Sequence, residues 1–114
     1  MKKHIIPMLT VLFFVSVMAP AAHAATVVAP SSCKTYAIVS VYAETNRQTK
    51  IGEQVAWPNQ TAQIPVSRCP KSIVVISNKN YGDNAKFFYP TQCNTITITI
   101  TDSDTACNAT MSEQ

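Results

Sequence analysis

The stretch Cys93-Asn94-Thr95-Ile96-Thr97-Ile98-Thr99-Ile100-Thr101-Asp102 alternates threonine with isoleucine along most of its length. In a β-strand successive side chains point to opposite faces, so the three isoleucines share one face and the four threonines share the other. Both residue types are β-branched and suit a pleated, half-buried surface. The pattern predicts a strand with one face in a core, which a second layer must cover.

The first 24 residues have the composition of a secretory signal peptide. Two lysines follow Met1, the segment 5–18 is almost wholly apolar, and Ala22-His23-Ala24 fits a small-x-small cleavage site. We expect residues 1–24 to be removed and residues 25–114 to form one secreted or periplasmic domain. The Met-Lys-Lys start indicates a bacterial source. No later apolar run could span a bilayer, so no membrane contact is expected after cleavage.

The mature chain offers little for catalysis. Removing the first 24 of 114 residues leaves seven basic and six acidic residues, a net charge of +1, with no basic stripe that would indicate nucleic acid. Both histidines, His4 and His23, lie in the predicted leader. The mature chain would therefore have no histidine, which is the side chain most often used as a general base and as a metal ligand. We therefore predict a protein that is not an enzyme and has no cofactor or metal.

The mature chain reads as short strands separated by turns. Pro65 cannot donate to a strand ladder, which places its strand at a sheet edge, whereas the apolar run from Ser72 to Ser77 belongs inside a sheet. We expect a short lead-in before Cys33 and a loose end from Met111. The spacing predicts an all-β fold, an antiparallel β-sandwich of the immunoglobulin-like or transthyretin-like class, with a small barrel as the less favoured alternative. The six predicted strands are 34–44, 48–57, 61–66, 72–77, 85–89 and 95–101.

Four cysteines in a short exported chain predict two disulfides. Zinc is the weaker alternative because close C-x-x-C pairs are absent. If each strand runs opposite to the one before it, Cys33 and Cys107 lie at one end of the sandwich, and Cys69 and Cys93 lie at the other. We predict Cys69–Cys93 and Cys33–Cys107. Cys33–Cys69 with Cys93–Cys107 becomes the alternative if the chain does not reverse at Pro58.

The best candidate for binding is the polar loop 78–86, which mixes amides, charges and one aromatic ring at a hairpin tip. Loops held on a rigid scaffold commonly carry function. The alternatives are an ordinary polar turn for this loop and a core or edge plug for Trp57. The three consecutive aromatic residues 87–89 must place at least one ring away from the core. The candidate residues are Lys79, Tyr81, Asp83, Lys86 and Trp57.

These observations predict a small exported binding or interaction module whose partner is a protein or a glycan. One alternative is a hydrolase that uses Glu44 and Glu53, which flank the first hairpin. Another is a structural surface subunit that assembles by strand addition. Asp102-Ser103-Asp104 could supply calcium ligands but fits a strand-ending turn better. The threonine face would need matching rows on neighbouring strands to bind ice or a crystal, so we expect an ordinary solvent-facing strand, covered or paired at its edges.

Overall fold

A computed structural model describes residues 24–77, 85–104 and 107–114. The described residues form two four-stranded sheets, which confirms the predicted β-sandwich. Sheet A has the strand order β4-β1-β7-β8, and sheet B has the order β3-β2-β5-β6. None of the described residues belongs to a helix that could cross a membrane. The strands are β1 (Ala25–Pro30), β2 (Ala37–Tyr42), β3 (Lys50–Ala56), β4 (Thr61–Val66), β5 (Ser72–Ser77), β6 (Lys86–Phe88), β7 (Thr95–Asp102) and β8 (Cys107–Glu113).

The core lies between the two sheets and is filled by alternate residues of each strand. Ile96, Ile98 and Ile100 of β7 are fully buried and pack with the inward residues of sheet B, such as Val39 and Ile73. The threonines of β7 lie on the opposite side, and the strand is paired with β1 and with β8. The prediction of a paired strand with one buried face is therefore confirmed.

Two segments that the sequence did not mark as strands complete sheet A. β1 is central, antiparallel to β4 and parallel to β7, and β8 pairs with β7 along its whole length. The predicted lead-in and loose end were therefore wrong. Both segments alternate buried and less buried positions, but β8 does so with alanine, cysteine and methionine rather than with the β-branched and aromatic residues that are enriched in strands. Pairing with β7, rather than local propensity, makes β8 a strand.

The remaining strands, β2 to β7, are the six that the sequence predicts. Pro65 lies on β4 at the edge of sheet A, and β5 lies inside sheet B, as expected. β3 contains a bulge, because Val41 pairs with Gly52 while Tyr42 pairs with Lys50. Gly52 faces β4 so closely that a Cβ there would lie 2.6 Å from Ile64 Cγ2. This glycine lets the two sheets meet along one side.

Both predicted disulfides are confirmed. Cys33–Cys107 joins the β1–β2 connection to the start of β8 across 74 positions, and Cys69–Cys93 joins the β4–β5 connection to the segment before β7 across 24 positions. No cysteine of the chain is free. Two disulfides in a chain this small fit an oxidising, extracytoplasmic compartment.

Candidate functional site

The two outer faces of the sandwich differ in chemistry. From Thr95 to Thr101 on β7 and from Asn108 to Ser112 on β8, the outward positions of sheet A carry uncharged hydroxyl and amide side chains. The outward positions of sheet B carry a run of aliphatic and aromatic side chains instead, beside two serines and the charged residues Lys50 and Glu53. An uncharged hydroxyl surface is well hydrated, whereas contiguous apolar side chains on an outer face mark a contact surface.

The apolar surface of sheet B is built from side chains that alternate with the core residues. Ile38 lies directly between Val55 on β3 and Ile76 on β5. In the next row Val74 lies opposite Phe87 of β6. Val74 is only 6% exposed although it does not belong to the core cluster between the sheets.

Two half-exposed rings lie at opposite edges of this surface. Trp57 directly follows β3, is 51% exposed and packs its ring against Tyr36, with centroids 5.4 Å apart and planes tilted by 54°. Phe87 on β6 is 49% exposed. Because β3 and β6 are three strand spacings apart, the surface is about 14 Å wide. We call it the aromatic face, and it comprises Tyr36, Ile38, Val55, Trp57, Val74, Ile76 and Phe87.

A cation covers the Phe87 end of the aromatic face. The Arg47 guanidinium carbon lies 4.7 Å from the Phe87 ring centroid, a cation–π contact. Its Nη1 donates to the Thr45 carbonyl at 3.1 Å and to the Tyr89 hydroxyl at 3.4 Å. Arg47 has a φ of 58°, which is uncommon for a residue with a side chain. Such conformations persist only where the surroundings hold them, and they cluster at functional sites.

The β2–β3 turn holds Arg47 in place through Glu44. The Glu44 carboxylate accepts a hydrogen bond from the Thr49 N–H at 2.8 Å, and the Glu44 carbonyl accepts one from the Arg47 N–H at 3.1 Å. Hydrogen bonds from Thr49 lower the pKa of Glu44 below its ordinary value. The carboxylate is thus charged at neutral pH and ties the two ends of the turn together.

The bulge in β3 arranges a charged pair beside the aromatic face. In a regular strand residues three apart point to opposite faces, but the extra residue brings Lys50 and Glu53 to one side, where they form an ion pair. The hydrogen bond to Glu53 raises the pKa of Lys50. The apolar surface therefore has charged residues at its margin, as protein-binding surfaces commonly do.

The structure places the predicted binding residues in different locations. Lys79, Tyr81 and Asp83 lie outside the described residues. Lys86 belongs to β6 rather than to a loop, and its side chain is on the opposite side of that strand from Phe87. Trp57 is too exposed to plug the core and is part of the aromatic face.

The expectation for the aromatic run is confirmed. Phe88 packs against the core, while Phe87 and Tyr89 stay half-exposed. Sequence reasoning missed Arg47 and Tyr36 as site residues. The available signal was that β2 carries apolar residues on both faces, with Ser40 as the one exception, and that β5 is apolar from Ile73 to Ile76. When both faces of a strand are apolar and only one faces the core, the other forms an apolar patch on the outer surface of the sheet.

A concavity lies at the end of sheet A near the β3–β4 turn. It has a volume of about 290 Å³ and carries no charged side chain. General acid–base chemistry needs a titratable group, which this lining does not supply. The lining residues are Pro30, Ser31, Ser32, Asn59, Gln60, Thr61, Thr99 and Ile100.

Three of the described acidic residues are engaged in structural contacts. Glu44 and Glu53 bind Thr49 and Lys50 respectively, and Asp102 accepts a hydrogen bond from the Lys34 N–H at 3.0 Å. Within residues 24–77, 85–104 and 107–114, no group of three or more His, Cys, Asp and Glu could hold a metal ion.

Comparison of the chain with protein-family models, with curated proteins and with solved structures found no match.

Proposed function

We propose that this protein is a non-catalytic binding module that is exported by a bacterium and engages a partner protein through the aromatic face of sheet B. The observation that carries this proposal is the pair of half-exposed rings, Trp57 and Phe87, at the two ends of a row of apolar side chains that crosses sheet B. Tryptophan, tyrosine and arginine are the residues that most often dominate binding energy at protein interfaces. The aromatic face and its margin contain all three.

A protein partner fits this surface better than a glycan does. Three aliphatic side chains, Ile38, Val55 and Ile76, lie side by side between the rings. Aliphatic groups gain from burial against another apolar surface at about 25 cal/mol per Å² but offer nothing to a hydroxyl-rich ligand. Arg47 and the Lys50–Glu53 pair at the margin would supply polar contacts at the rim.

The hydrolase alternative has less support. Glycoside hydrolysis needs one carboxylic acid whose pKa is raised so that it can donate a proton. The pKa of Glu44 is lowered, and Glu53 is paired with Lys50. Their contacts stabilise the β2–β3 turn and its flank rather than a reacting group.

The proposal is tested by cross-linking from the aromatic face. A photoreactive amino acid replaces Trp57 in one sample and exposed Thr101, on the opposite outer face, in a matched control. Captured proteins in extracts of the source cells and their surroundings are identified by mass spectrometry. We expect a protein that is captured from position 57 and not from position 101.

The captured partner then allows a quantitative test. Trp57→Ala and Phe87→Ala should each weaken its binding tenfold or more, which is about 1.4 kcal/mol. Thr101→Ala should leave affinity unchanged, and thermal melts establish that all variants fold. Capture from neither position, or a partner that binds both aromatic variants as tightly as wild type, would contradict the proposal.

A further inference from the structure

Three of the four edge strands in the described part of the chain carry a feature that discourages pairing with another strand. β4 contains Pro65, β3 is bulged and bears Lys50 and Glu53, and β6 is three residues long. Prolines, bulges, charges and short length are the usual means by which proteins protect sheet edges. β8 has seven residues, no proline, no glycine and no basic residue. Its outer edge has no partner strand among the described residues.

The backbone groups of β8 alternate in direction. The Gln114 N–H donates to the Thr95 carbonyl at 3.1 Å, and the register pairs Thr110 with Thr99. Since hydrogen-bonding direction alternates along an antiparallel strand, Asn108, Thr110 and Ser112 turn their N–H and C=O groups toward β7. Ala109 and Met111 turn theirs toward the free edge. The N–H of Cys107 is already donated to Ser77 Oγ at 3.4 Å.

We propose that β8 pairs with β8 of a second copy of this chain, antiparallel about a two-fold axis at Thr110. Ala109 of each copy then lies opposite Met111 of the other, and their outward N–H and C=O groups form four hydrogen bonds. The two copies of sheet A become one continuous eight-stranded sheet. A two-fold contact of this kind closes on itself and gives a dimer rather than a filament.

The side chains of β8 allow this pairing. Thr110 would face Thr110 of the second copy across about 4.5 Å between Cα atoms, the spacing of a pair that is not hydrogen-bonded through the backbone. The single charged residue of β8 is Glu113, and its carboxylate already accepts hydrogen bonds from the Thr91 and Gln92 N–H groups, both at 2.8 Å. Two β8 strands can therefore approach without like-charge repulsion at their centre.

The contact is small, since it involves one strand from each copy, and small interfaces are typical of weak, transient association. We expect a dimer that forms at high micromolar concentration. Because β8 belongs to sheet A, the aromatic faces of both copies stay uncovered. The dimer does not depend on the proposed partner and is measured without it.

Placing a positive or a negative charge at Thr110 tests whether the two-fold axis of the dimer lies at this residue. Thr110 is exposed, so lysine or glutamate there does not disturb the core. We expect Thr110→Lys and Thr110→Glu each to abolish the dimer, since identical charges would meet at the axis. An equimolar mixture of the two variants should dimerise again because opposite charges meet. Sedimentation equilibrium of the disulfide-bonded chain provides the measurement.

The matched control is Thr99→Lys, which puts the same charge on the same face, one strand further in. Thr99 and its counterpart would be three strand spacings apart, about 14 Å, beyond the Debye length at physiological salt. This variant should dimerise like wild type. The proposal is overturned if the wild type stays monomeric at high micromolar concentration, if Thr110→Lys dimerises normally, or if the mixture remains monomeric.

Discussion

At the scale of single residues, Ser72 and Ser77 show that the same buried side chain can either lower or raise the stability of the fold. Both lie on β5, and both are fully buried. Ser77 Oγ accepts the Cys107 N–H at 3.4 Å. Ser72 Oγ is buried without a hydrogen-bond partner among the described residues. A buried hydroxyl without a partner costs free energy, whereas a bonded one contributes modestly.

Alanine at each position should therefore have opposite consequences. Ser77→Ala leaves the Cys107 N–H without its acceptor and should lower the free energy of unfolding by about 1 kcal/mol, or roughly 4–8 °C in melting temperature for a domain of this size. Ser72→Ala should leave stability unchanged or raise it. Thermal melts of the two variants beside wild type give the comparison, and equal destabilisation of both would refute it.

The site residues could be predicted from the sequence only in part. The exposed part of the aromatic run at 87–89 could be predicted because consecutive strand residues face opposite ways, and Trp57 was a candidate as the single tryptophan of the chain. Arg47 was not, because its role depends on a positive φ and on a ring that is 40 positions away in the chain. Contacts across sheet B depend on register, which side-chain alternation alone does not fix.

At the scale of strands, β3 shows how one glycine sets the distance between two sheets. The side of Gly52 that would carry a Cβ faces Ile64 and Val66 of β4. Any larger residue must push β4 away or distort the bulge. The space between β3 and β4 is thus already filled by the β4 side chains.

Gly52→Ala should destabilise the fold by about 1–3 kcal/mol, the usual cost of forcing an extra methyl group into a packed region. Ile64→Ala should also destabilise, because it leaves a cavity. The double variant should lose less stability than the two single losses combined, since the new methyl group occupies the vacated space. Chemical denaturation of the three variants measures this coupling, and strictly additive losses would show that the contact does not limit packing.

Strands with a strong side-chain pattern were predicted correctly. Strands that form only because a neighbouring strand pairs with them were missed. The alternation in β7, the apolar run in β5 and the proline in β4 each indicated a position in a sheet, and each position is confirmed. β1 and β8 were missed. The disulfides were nevertheless predicted correctly, because β1 ends before Cys33 and β8 begins only at Cys107. Counting strand reversals between the cysteines was therefore unaffected.

At the scale of the whole molecule, two glutamates tie connections to the sheets. Glu44 closes the β2–β3 turn, and Glu113 at the end of β8 accepts hydrogen bonds from the segment before β7. Hydrogen bonds from Thr49 lower the pKa of Glu44, and those from Gln92 and Thr91 lower the pKa of Glu113, both from an ordinary value of 4.5. Both residues need to be ionised for these contacts to hold at full strength.

This predicts a defined loss of stability in acid. A group whose pKa is lower in the folded state stabilises the fold above its unfolded pKa, and that contribution disappears as the pH falls through the folded value. Stability should thus decline as the pH drops below about 4.5. The Glu44→Gln/Glu113→Gln variant should show a weaker decline over the same range. Melting temperatures between pH 7 and pH 3 test this, and parallel curves for the two proteins would argue against it.

The central place of β1 in sheet A sets the order in which the chain can acquire its structure. Val66, a partner of β1, comes 41 positions after Ala25, and Thr95, on the other side, comes 69 positions after Thr26. Cys33 likewise cannot form its disulfide until Cys107, 74 positions later in the chain, is available. A chain emerging from its amino terminus can assemble sheet B, and pair β1 with β4, before β7 is available to pair with the other side of β1. Contacts between residues so far apart in the sequence form slowly. A factor that protects this protein during maturation would therefore need to cover the unpaired edge of β1 until β7 is in place.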